Sequence, residues 1–191
     1  MALHDKRDKF SMRLLVFAIS AISSLSLSIP SGFAQTLPFP ENSTFFTGQP
    51  PNLVTTETPD SRINWPNAHY YFTFDLPKNS VQSLGKVTIQ PQPNVQTIQF
   101  NLANTTAFQG TQNSQGQAFA LKASQDPKTQ AIAVIFDPPI PPGTGFSIRL
   151  EANQNPSVSG TYLFSVTTFP AGPNPIGFDM GVGRLSFYQT F

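Results

Sequence analysis

The chain contains no cysteine, two histidines, three methionines and one tryptophan, and only 11% of its 191 residues are charged. Each shortage excludes something. Without cysteine there is no disulfide framework and no thiolate ligand, so stability has to come from burying apolar side chains. His4 lies in the first segment, and beyond it the chain keeps only His69 as an imidazole and Met180 as a thioether. Zinc and copper sites need more ligands of that kind than remain, and the expectation is a protein with no metal and no cofactor. No basic field is present to attract nucleic acid. Long apolar runs are also missing, because Leu14 to Ile29 is broken by five serines and falls short of the ~20 apolar residues that cross a bilayer.

The opening segment has a different use. MALHDKRDKFSMR carries Lys6, Arg7, Lys9 and Arg13, LLVFAISAISSLSLSI follows, and PSGFA places Gly32 and Ala34 two apart. That order reads as a secretory signal peptide, residues 1–34, cleaved after Ala34. A start at Met12 in place of Met1 would make a more compact leader. The expected location is periplasmic or extracellular, with no membrane span after cleavage. Loss of the leader removes four cations and two anions, which takes the formal net charge from +1 to −1 and leaves 157 residues. That length suits one domain with a real core, for which fifteen phenylalanines remain as material.

Residues 35–67 place proline at positions 38, 40, 50, 51, 59 and 66 without sustained periodicity, which predicts an irregular, extended arm. From residue 68 to 191 the texture is that of a β-sandwich. In HYYFTFDLP, Tyr70, Phe72, Phe74 and Leu76 alternate with His69, Tyr71, Thr73 and Asp75, the period of a half-buried strand. Comparable runs are KVTIQ, QTIQFNL, QAFALKA, AIAVIFD, GFSIRLEA, TYLFSVTTF and RLSFYQT. About eight short strands between Gly, Pro, Asn and Ser clusters, with no helical period, predict a single all-β, antiparallel, immunoglobulin-like sandwich. Within FDPPIPPGTGF, Pro138, Pro139, Pro141 and Pro142 lack the N–H that a ladder requires, so a rigid spacer between two strands is expected there. Gly143 supplies the turn, and one X-Pro bond could be cis.

Four motifs in fixed order carry a resemblance. They are PP-x-PPG at 138 to 143, NP-x-x-x-G-x-Y at Asn155, Pro156, Gly160 and Tyr162, FPAG at 169 to 172 with Pro170 and Gly172, and the closing GRLSFY. Over about Ala68 to Tyr188 the chain resembles a family of exported cyanobacterial proteins classed only as a domain of unknown function. The resemblance implies a secreted or periplasmic protein and transfers no catalytic residue.

Chemistry is scarce. The eight carboxylates beyond the leader include Asp137 and Glu151 at the finishing ends of consecutive strands; as antiparallel neighbours these would sit at opposite sheet edges, unable to act together as a glycosidase pair. His69, on the polar face of its strand, reads as a solvated surface group. No G-x-S-x-G turn presents a nucleophile. The expected function is therefore that of a non-catalytic cell-envelope module which binds an unknown envelope protein or polysaccharide. Two alternatives are a small outer-membrane β-barrel, suggested by Leu185, Phe187 and Phe191 near the end, and a hydrolase using carboxylates or His69. Trp65 is the weak candidate for a contact residue, the competing expectation being that it anchors the arm onto the sandwich.

Overall fold

The structure is a computed structural model that describes residues 39–189. The proposed leader, its cleavage point and Phe191 lie outside the described residues. Ten strands form two five-stranded antiparallel sheets. The strands are β1 (Asn52–Glu57), β2 (Pro66–Leu76), β3 (Leu84–Pro91), β4 (Thr106–Thr111), β5 (Ser114–Ala118), β6 (Leu121–Gln125), β7 (Ile132–Ile140), β8 (Thr144–Gln154), β9 (Gly160–Pro170) and β10 (Phe178–Phe187). One sheet runs β1-β2-β8-β4-β5 and the other β10-β9-β3-β7-β6. These are two facing layers, so the barrel alternative is not the architecture.

Alternation builds the core. Tyr70, Phe72, Phe74 and Leu76 of β2 are fully buried and face the second sheet, where Phe72 meets Phe164 edge-on at 5.6 Å. A second aromatic group joins the layers further along, as Phe146 of β8 stacks on Phe74 at 5.0 Å and meets Phe136 of β7 at 5.7 Å. Burial on this scale holds the two sheets together in a chain without cysteine.

The strand count departs from the expected eight in instructive places. Asn52–Glu57, inside the segment expected to be irregular, is β1 and pairs with β2 from Asn52↔Asp75 to Glu57↔Tyr71. Its pattern is masked because it is an edge strand with a bulge between Leu53 and Thr55, and such strands need no clean alternation. β1 also closes one side of the sandwich against β10. A Cβ on Gly183 would stand 2.5 Å from Thr56 Oγ1, so only glycine permits that approach. QTIQFNL, by contrast, is not a strand; Phe100 makes one isolated bridge to Ala152, and a short 3₁₀ turn follows at Leu102–Asn104.

The proline joint also differs from expectation. Pro138 and Pro139 are not part of a spacer outside the strands, because β7 continues through them to Ile140. Its register with β3 jumps from Lys86↔Ile135 to Leu84↔Ile140, so the residues without an N–H sit in a bulge where none is demanded. The Asp137–Pro138 peptide is cis. Pro141 and Pro142 then lead to Gly143, at φ +80°, whose N–H donates to Leu76 O at 2.7 Å. The joint carries the chain from one sheet to the other. Asp137 and Glu151 accordingly belong to different sheets and are not antiparallel neighbours.

Candidate functional site

At one end of the sandwich β2 and β9 begin while β3 and β8 finish, and the loops there are tied together by a single amide. Asn155, only 1% exposed, accepts from Tyr70 Oη at 2.7 Å through Oδ1. Its Nδ2 donates to Arg62 O at 2.7 Å and to Asp60 O, and its backbone N–H donates to Trp65 O at 2.8 Å. A side-chain amide is suited to this because it supplies acceptor and donors at once. Pro156 extends the clamp by accepting from Asn64 N at 3.0 Å. Tyr162 closes it, buried against Phe187 at 5.5 Å, with its hydroxyl donating to Val158 O at 3.2 Å. Gly160 starts β9 opposite Phe187. The Asn-Pro…Gly-x-Tyr motif is thus the fastening of the loop end, while Pro170 and Gly172 serve the far end: Pro170 pairs with Leu84 and Gly172 lies against Thr44.

Burial raises the Tyr70 hydroxyl far above the ordinary tyrosine range, with the nearby Tyr162 and Asp60 adding to the effect. Burial also raises Tyr162. A group raised on folding contributes its stability below its unfolded pKa, about 10 for tyrosine, and loses it as pH climbs. Melting temperature is therefore expected to fall between pH 10 and 11.5. In that range Tyr70→Phe should flatten the slope by up to about 1.4 kcal/mol per pH unit, having already lowered stability at pH 7 by about 1–2 kcal/mol through the lost bond to Asn155. Parallel curves for the two proteins would show that Tyr70 is not the titrating group.

His69 is half-buried rather than freely solvated. Its Nδ1 lies 3.6 Å from Asp60 Oδ2 and its Nε2 3.6 Å from Glu151 Oε2, while its backbone N–H donates to the same Asp60 oxygen at 2.9 Å. Glu151 is further held by Asn101 and Asn104 at 3.3 and 2.7 Å. With a carboxylate facing each ring nitrogen, neither is aimed at a hydroxyl nucleophile, and the arrangement secures the loop before β2 to β8. Among the described residues no group of three or more His, Asp or Glu side chains could hold a metal ion.

Three depressions adjoin on this end surface. The first, about 420 Å³, runs along Gln90 to Ile98 beneath Lys128 to Gln130. The second, about 350 Å³, shares Gln96 and Thr97 with it and adds Gln99, Asn153 and Gln154. The third, about 430 Å³, shares Asn64 with the second and is walled by Arg62, Trp65 and Gln189. Shared lining residues make them neighbours along this end, a row of depressions referred to below as the groove. Trp65 forms its far end, 40% exposed, with the Arg62 guanidinium 5.7 Å over the ring. The loop is anchored through the Trp65 carbonyl, and the indole itself stays at the surface.

The groove's amides escaped notice in the sequence although a signal was present. In QPQPNVQ, Gln90, Gln92, Asn94 and Gln96 fall at every second position, and alternation of polar side chains beside prolines places them on one side of an extended segment. The opposite wall is set by Asp126, whose carboxylate accepts from the backbone of Lys128 and Thr129 at 2.7 and 3.1 Å. These bonds, that to Thr129 foremost, hold its carboxyl below the usual range.

Comparison with solved structures finds several similar chains at low identity. The N-terminal domain of a Streptococcus gordonii adhesin is similar at 12% identity and TM-score 0.47, with 74% of this chain and 33% of that one covered. The full-length major pilin SpaD of Corynebacterium diphtheriae is similar at 11% identity and TM-score 0.47, covering 70% and 34%. An uncharacterised protein of Nocardia farcinica, described as immunoglobulin-like, is similar at 14% identity and TM-score 0.42, covering 71% and 97%. The chain spans about a third of the length of the adhesin and pilin structures. No curated protein matches it. The family model described as protein of unknown function (DUF2808) matches residues 43–187, every strand of both sheets included, and the chain belongs to that family.

Proposed function

We propose that the protein is an exported, non-catalytic module of the cell envelope that binds an envelope protein or polysaccharide at the loop end of its sandwich. The observation that carries this reading is the row of three adjoining depressions from Gln90 to Trp65, the last of them walled by the loop that Asn155 fastens to the scaffold. Loops positioned by a rigid sheet pair are the usual seat of binding in sandwiches. The leader motif at residues 1–34 supports export, and no helix among the described residues is long and apolar enough to cross a membrane. The carboxylates facing both nitrogens of His69 support a structural rather than catalytic role for it.

Immobilised protein is expected to retain envelope material. Replacing Gln96 by Arg, which fills the groove at the junction of its first two parts, should reduce that retention severalfold while leaving the melting temperature within about 2 °C, as for an exposed site. Undiminished retention would move the binding surface elsewhere. Turnover of glycosides, esters or peptides that disappears with His69→Ala would replace this reading by an enzyme.

A further inference from the structure

We infer that the groove takes an uncharged glycan chain, with Trp65 stacking against one sugar ring; this rests on the binding-module reading above. The argument begins with charge. Among the described residues no Asp or Glu lines any of the three depressions, and the cations are Lys128 near one end and Arg62 at the other. Arg62 is occupied over the indole. An acidic polymer would lack the row of cations it needs, and a basic one would find no carboxylate.

The apolar lining of the first depression is Pro91, Pro93 and Leu163 at its rim, with larger side chains beneath them. Ile98, Tyr162 and Phe164 lie under the first depression but are already buried by the sandwich, so a peptide that inserts apolar side chains would gain little area. What the groove offers is amides, which present donor and acceptor together and so match hydroxyl groups that do the same. Two of them have one polar atom engaged within the protein. Gln96 accepts from Ser157 N and Oγ at 2.8 and 3.0 Å through Oε1, and among the described residues its Nε2 donates to no protein group. Gln92 donates to Ser165 Oγ at 2.9 Å, which leaves its Oε1 as an acceptor. Trp65 adds the remaining element of such a site, an apolar ring at 40% exposure with Arg62 over it. An aromatic ring with one wet side is suited to the C–H face of a pyranose, which is apolar while its edge is hydroxylated.

Trp65 is the sole tryptophan of the chain, so its emission reports on the groove directly. The purified protein would be titrated with neutral glucan, mannan and galactan oligosaccharides, with a uronic-acid oligosaccharide and with an unstructured Gln/Pro-rich peptide. At least one neutral glycan is expected to shift the emission to shorter wavelength in a saturable manner. By calorimetry, Trp65→Ala is expected to weaken that glycan by about tenfold or more, and Gln96→Ala by about fivefold, the usual effects of a stacked aromatic and of one hydrogen bond. Asn113→Ala, at an exposed position in the turn between β4 and β5, should leave affinity unchanged. If only the acidic glycan or the peptide moves the emission, the glycan assignment is overturned while the groove remains a binding site. If no neutral glycan binds, yet envelope material is still retained and Gln96→Arg abolishes retention, the ligand class is wrong and the module reading stands. If retention is absent, or indifferent to Gln96→Arg, both fail.

Discussion

Asn155→Ala is expected to lower the stability of the protein by about 3–4 kcal/mol, since it strips partners from several buried polar groups at once. The substitution leaves Tyr70 Oη and the carbonyls of Asp60 and Arg62 without the amide that pairs them. Tyr70 is fully buried and Asn155 nearly so, which limits how far water can restore those bonds. The loss should be visible as a lower urea midpoint with an unchanged slope. Asn155→Asp makes a sharper control, because it keeps the acceptor for Tyr70 but turns an oxygen toward two carbonyls. It should therefore cost more than Tyr70→Phe, which removes one bond only. Hydrogen exchange would place the damage, with the amides of Ile63 and Asn64, which donate to Tyr188 O and Pro156 O at 3.0 Å each, losing protection before those of β8. A loss below about 1 kcal/mol would mean that the loop end is held mainly by the backbone bonds that survive the substitution.

The second large effect belongs to the core. Phe146→Ala should cost about 3–5 kcal/mol, because Phe146 is fully buried and touches aromatic rings from both layers, Phe74 in its own sheet, Phe136 across the interface and Phe119 in the link between β5 and β6. A domain of this size has roughly 5–15 kcal/mol of stability in total, and no disulfide exists to constrain the unfolded chain. The variant is therefore expected to melt more than 10 °C lower than the parent, given a few degrees per kcal/mol. Phe178→Ala serves as the comparison. Its ring is 40% exposed on β10, so truncation should cost less than about 1 kcal/mol. Equal losses at the two positions would contradict the assignment of Phe146 to the junction between the sheets.

These two residues also show how differently parts of the molecule could be read beforehand. Phe146 is legible from GFSIRLEA, where every second residue is large and apolar; only a strand with one face in a core makes that period favourable. The same holds for β7 and β9, whose burial follows the alternation of their side chains, whereas β2 is buried on both faces from Tyr70 to Phe74, with Tyr71 against Phe108 and Thr73 bonded to Ser147 on the outer side. Asn155 could be picked out only as part of a motif, and its role was invisible because its partners lie 85 to 95 positions away in the chain. β1 escaped because an edge strand held by backbone pairing asks little of its side chains. His69 differs from expectation for a related reason: alternation turns it away from the core, but the outer face of β2 is covered locally by Asp60 and Glu151.

What the residues determined by themselves is the class of the fold and the poverty of its reactive groups. Period-two burial and proline punctuation act over a few neighbouring positions, and the absence of a side-chain type holds in any conformation. The pairing of β1 with β2, the passage of the proline joint from one sheet to the other, the clamp at Asn155 and the amide groove ending at Trp65 were decided only by tertiary structure. Each depends on segments far apart in the chain being brought within hydrogen-bonding distance, and that is set by how two twisted layers bury their common face.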